Sequence, residues 1–119
     1  MKFAPPLALL FASLSISPAF AHAHLVKADP APGSTVAAPP GALLMTFTEA
    51  LEVPFCTVTV TNAAGAPQQT AKPQAVPGHS DELSIPLHIT APGKYSVTWH
   101  ALSTDTHKTH GSFSFTVAG

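Results

Sequence analysis

Tyr95-Ser96-Val97-Thr98-Trp99-His100-Ala101 alternates apolar and polar side chains without a break. A period of two marks a strand with one face on a core, whereas a helix would place its apolar residues three and four apart. The same alternation recurs on both sides. Cys56, Val58 and Val60 share a face opposite Thr57, Thr59 and Thr61. Leu43, Met45 and Phe47 form another such face, as do Leu83, Ile85 and Leu87, and Phe113, Phe115 and Val117. Pro86 lies on the polar side of its run and has no N–H to give a ladder, which implies an edge strand. Turn-forming clusters at 29–34, 38–41, 62–67, 77–81 and Ala91-Pro92-Gly93 separate the runs. With a first strand at Leu25-Val26 and a weak one over 68–72, about seven strands are expected. Residues 63–78 are low in complexity and read as a mobile loop. Thirteen prolines and no ten-residue stretch with a helical period argue against helices. The expected class is all-β, a small antiparallel Greek-key barrel or sandwich, immunoglobulin-like or cupredoxin-like.

Ahead of these strands lies a different pattern. Lys2 is followed by an apolar run from Pro5 to about Ile16, then by Ala19-Phe20-Ala21. That is the layout of a secretory signal with an A-x-A cleavage site. The expected organisation is a signal peptide over 1–21 and one β domain over 22–119, exported to a bacterial periplasm. The charge is modest, five Lys, no Arg and six acidic residues, with no basic cluster to hold nucleic acid. A lone Cys56 makes no internal disulfide, so the fold must stand on packing.

Cleavage after Ala21 leaves His22-Ala23-His24 at the start, and the overlapping Ala21-His22-Ala23 would instead expose His24. Either cut puts histidine first. Such a residue grips one metal with its α-amine and ring Nδ1 together. The amine titrates near pH ~8, so a strongly bound metal displaces its proton at neutral pH. A second motif, Ser103-Thr104-Asp105-Thr106-His107, lies between the Trp99 and Phe113 strands. If extended, Asp105 and His107 point to one side with Cα atoms roughly 6.5 Å apart. Taken alone it reads equally as a polar turn, with Asp105 bonding to nearby backbone N–H groups. Beside a histidine N-terminus, the amine, His22, Asp105 and His107 make a nitrogen-rich tetragonal set suited to Cu²⁺, which tops the divalent affinity order. Zn²⁺ could use the same ligands, although no structural zinc spacing is present.

His24 has three readings. It completes a peptide chelate through the amine and two deprotonated amides, it neighbours the folded site, or it is an exposed strand residue. His79, His88 and His100 are read as surface histidines; His110 either flanks the site or, with Gly111 and a strand start after it, is an exposed turn residue, the reading favoured here. Glu49 and Glu52 are read as solvated charges, and Trp99 and Tyr95 as core anchors. Cys56 lacks the downstream His of a blue-copper ligand and shares the phase of Val58 and Val60, so it reads as a buried small hydrophobe.

These pieces together resemble the CopC family of periplasmic copper-resistance proteins. The matching stretches are His22-Ala23-His24-Leu25-Val26, Asp29-Pro30-Ala31-Pro32-Gly33, Leu44-Met45-Thr46-Phe47-Thr48-Glu49, Tyr95-Ser96-Val97-Thr98-Trp99 and Ser103-Thr104-Asp105-Thr106-His107. The resemblance implies a Greek-key β-barrel, a periplasmic location and tight Cu²⁺ binding by the His22 N-terminus, Asp105 and His107. It also implies a CopD-type inner-membrane protein as partner. The methionine-rich loop of some members has no counterpart here, since 69–79 holds no methionine.

The expected function is a copper carrier or buffer without catalytic residues, acting as a monomer. Two other readings compete. One is an oxidative copper enzyme built on a histidine brace, against which the Asp105 carboxylate favours Cu²⁺ and hinders cycling. The other is a metal-free β-sandwich for protein contacts.

Overall fold

The computed structural model describes residues 23–119, where strands β1–β8 form two four-stranded sheets. One sheet runs β1 (Leu25–Asp29), β3 (Ala42–Phe47), β6 (His79–Pro86), β5 (Gln74–Val76); the other runs β2 (Thr35–Val36), β8 (Lys108–Val117), β7 (Gly93–Leu102), β4 (Thr57–Thr61). Every pairing is antiparallel except β2, which lies parallel to the end of β8. Only β5–β6 and β7–β8 are consecutive partners; every other connection crosses between sheets. No described helix is long and apolar enough to cross a membrane.

The alternating faces close on each other as the sequence implies. Leu43, Met45, Phe47, Val58, Val60, Leu83, Ile85, Tyr95, Val97, Trp99, Phe115 and Val117 are buried in one core. Phe113 packs against it half-buried. Tyr95 stacks on Phe115 at 5.7 Å, and its hydroxyl donates to the Ala91 carbonyl at 2.5 Å. Phe47 meets Trp99 edge to face, at 5.2 Å and 77°.

Three expectations are corrected. The strand ending at Pro86 is not an edge, because β5 pairs with its other side. Leu87 donates to Gly41, so odd-numbered residues bond toward β3 and the missing N–H of Pro86 faces the opposite side. Pairing with β5 reaches only Ser84; beyond it Thr70 donates to the Pro86 carbonyl at 3.0 Å, and the missing Pro86 N–H leaves only the return bond unmade. The strand expected at 68–72 amounts to isolated bridges at Pro67 and Gln69, and the strand proper is β5. Its segment is therefore more than the plain loop expected over 63–78. Neither β5 nor β2 has a fully buried residue, and β2 offers the core only a half-buried Val36, which is why alternation did not reveal them.

Gly111 has a packing reason of its own. It sits opposite Trp99 in the β7–β8 ladder, and a Cβ there would lie 2.7 Å from Trp99 Cζ2 and 2.9 Å from Cε2. The indole cannot retreat, because Phe47 backs it. Gly111→Ala should therefore cost about 1–3 kcal/mol through overpacking. Urea denaturation checks this, and an unchanged midpoint would show that the ring shifts freely.

Candidate metal centre

The β7–β8 hairpin ends in the turn that carries Asp105 and His107. Ser103 extends the inward phase of Trp99 and Ala101 by one more step and is fully buried. A polar residue at a buried phase needs partners, and Ser103 has them. Its hydroxyl donates to Asp105 Oδ1 and accepts the His107 N–H at 3.2 Å. Its own N–H donates to the His107 carbonyl at 3.0 Å, and its carbonyl accepts from Thr106 at 2.9 Å.

Between the two candidate ligands, Thr106 takes φ 70°, a left-handed conformation costly for a β-branched residue. The extended Asp105–His107 geometry is thus corrected to a tight turn. The two side chains still converge, with Asp105 Oδ2 3.2 Å from His107 Nδ1, and both are a little over two-fifths exposed. Neighbouring backbone clamps the turn: Thr104 donates to Ala50 at 3.0 Å, and Glu52 donates to Leu102 at 2.8 Å.

The Ser103 hydroxyl holds the Asp105 carboxyl below the usual aspartate range; His107 adds to this, and burial opposes it. The sign follows from linkage. The stabilisation is present above the ordinary aspartate value of about 3.9 and is lost as pH falls through the lowered folded value. Ser103→Ala removes the shared partner. It should destabilise the apo-protein by about 1 kcal/mol, because the partly buried His107 N–H loses its acceptor. It should also raise the Asp105 pKa toward its ordinary value. Urea denaturation and a carboxyl-carbon NMR titration read the two effects separately. Sequence reasoning missed Ser103, although the inward phase of β7 carried one residue further would have found it.

The start of the domain lies beside this turn. Ala23 is fully buried, and its carbonyl accepts from Thr109 Oγ1 at 2.7 Å, two residues past His107. His24 donates its N–H to Thr48 Oγ1 at 3.0 Å, and its carbonyl accepts from the Thr48 N–H at 2.9 Å. Its side chain is exposed, in an open depression shared with Trp99, Lys108 and His110. The signal segment and His22 lie outside the described residues.

The other expected residues fall as follows. Cys56 is buried, its thiol pushed up by burial and set 3.5 Å from the Glu52 carbonyl, so it stays protonated and is a poor metal ligand. His88 and His100 are exposed. His110 is not in a turn but within β8, opposite His100. His79 opens β6 instead of lying in a loop. With Asp81 and Glu82 it forms a group whose donor atoms lie within 4.8 Å of one another.

Comparison with known proteins places the chain among copper-resistance relatives by sequence and fold. The chain is 35% identical over 112 residues to protein YobA of Escherichia coli K12, covering 93% of this chain and 90% of that one. It is 32% identical to copper resistance protein C of Xanthomonas campestris pv. juglandis, over 98% and 95% of the two chains. The crystal structure of PcoC, a methionine-rich copper resistance protein from Escherichia coli, superposes with a TM-score of 0.69 at 32% identity, covering 82% and 99%. Residues 25–118 match the CopC domain family model, and with these relatives the chain belongs to the CopC family.

Proposed function

We propose that the processed protein binds one Cu²⁺ through the α-amine and ring of His22 together with Asp105 and His107. In this reading it carries or buffers copper in the periplasm. The observation that carries it is the Thr109–Ala23 hydrogen bond, which pins the chain start beside the hairpin holding Asp105 and His107. His22 precedes Ala23 by one Cα step of about 3.8 Å. Buried Ala23 also favours cleavage after Ala21, because a cut after Ala23 would remove a core residue. Copper is favoured over zinc by the nitrogen-rich donors. The relatives named for copper resistance support the same ion.

The folded site also prevails over the His22-Ala23-His24 peptide chelate. That chelate needs the His24 amide deprotonated, whereas the fold uses its N–H to bond Thr48. Met45 is the only methionine among the described residues and is buried, so a thioether site for Cu⁺ finds no donors there. The recipient proposed for the copper is an inner-membrane protein of the CopD type, the partner implied by the family resemblance.

The test is a Cu²⁺ titration followed by EPR on protein processed from its own signal, with the N-terminus confirmed by mass. A version carrying one extra Met before His22 runs beside it. Tight one-to-one binding lost in the extended version supports the reading; equal binding by both moves the site away from the N-terminus.

A further inference from the structure

We propose that His100 and His110 form a second, solvent-facing metal site for a divalent first-row ion, Cu²⁺ foremost. The two residues are directly opposed in the β7–β8 ladder, which keeps one unbroken register over ten pairs. Ser103 donates to the His107 carbonyl, which makes that pair hydrogen-bonded. Antiparallel pairs alternate, so 101/109 is also hydrogen-bonded and 100/110 is not. Non-hydrogen-bonded pairs bring their side chains closest, with Cα atoms about 4.5 Å apart.

Trp99 and Ala101 point into the core, so His100 points out, and both imidazoles are exposed. Their ring centroids lie 5.9 Å apart with planes 28° from parallel. Metal–nitrogen bonds of about 2.0 Å place two imidazoles on one ion with centroids roughly 4.5–6 Å apart. The observed separation of 5.9 Å falls within that range.

The surroundings narrow the chemistry. The rings line a cavity of about 470 Å³ together with Phe55, Thr57 and Lys108, and no carboxylate lines it among the described residues. Two neutral imidazoles without a carboxylate suit Cu²⁺, Ni²⁺ or Zn²⁺ and give nothing to Mg²⁺ or Ca²⁺. Lys108 adds a positive charge that opposes the ion, so this site is weaker than the one at the hairpin turn. Three pair steps of about 3.4 Å separate the 100/110 pair from Ser103 and His107 at the turn, and the two sites share no ligand.

The test is equilibrium dialysis of the processed protein against buffered Cu²⁺, with copper per chain measured by mass spectrometry. The parent should take up a second equivalent at higher free copper. His100→Gln or His110→Gln, both exposed positions, should demand at least tenfold more free copper for that equivalent while leaving the first intact. An Asp105→Ala/His107→Ala double variant should retain the second equivalent and lose it when His110→Gln is added. That arm keeps this result separate from the fate of the N-terminal site. The proposal is overturned if the parent takes up no second equivalent, if that equivalent survives both glutamine variants, or if it follows His79→Gln instead.

Discussion

Replacing His107 with alanine is expected to erase most of the copper-induced rise in melting temperature while leaving the apo-protein near normal. A ligand that binds only the folded state adds about 4 kcal/mol at a thousandfold excess over its Kd. For a domain of this size that corresponds to a rise of roughly 15–30 °C. The variant discards the imidazole with its contact to Asp105 Oδ2, but keeps the bonds to Ser103 that close the turn, because these run through the His107 backbone N–H and C=O. Asp105→Asn tests the carboxylate in the same way, retaining shape and a side-chain oxygen near Ser103 while removing the charge. Differential scanning calorimetry with and without Cu²⁺ measures both. A copper shift undiminished in both variants would leave the metal to other donors and refute the folded site.

The second large effect is structural. Trp99→Ala should cost about 3–5 kcal/mol, the range for emptying a buried aromatic site. Trp99 is the only tryptophan of the chain, and its ring is held between Phe47 and the backbone of Gly111. Neither neighbour can fill the gap: Gly111 has no side chain, and Phe47 is committed to the facing sheet. With domain stabilities of about 5–15 kcal/mol, such a loss leaves a marginal fold. The hairpin presenting Asp105 and His107 should loosen with it, so copper affinity should fall although no ligand has changed. Urea denaturation followed by circular dichroism gives the stability, and a loss below about 1 kcal/mol would show that the site collapses well. Trp99→Phe should recover part of the loss.

The buried faces were legible because each strand that meets the core repeats every second residue. From Leu43 to Phe47 and from Tyr95 to Ala101 the inward residues follow directly from phase. Strand β5 was illegible for the converse reason: Gln74-Ala75-Val76 buries neither face, and only its backbone pairing with β6 makes it a strand. Pro86 misled because the rule concerns which side loses an N–H, and that side is known only once Leu87 is seen bonding Gly41. His110 looked like a turn residue because Gly111 follows it. The glycine is there to make room for Trp99, not to turn the chain.

By itself the sequence determined the class of fold, the faces that close on the core, and the chemical kinds of donor available to a metal. These rest on period, composition and side-chain chemistry, which are local. Only the tertiary structure decided that Ser103 ties Asp105 to His107, that Thr109 holds Ala23 next to their hairpin, and that His100 stands opposite His110. The last two join positions whose distance along the chain says nothing about their distance in space, and the first depends on Thr106 taking φ 70° where the strand phase implied an extended run. Strand register and the crossing of chain between two sheets set that distance, and no local pattern encodes them.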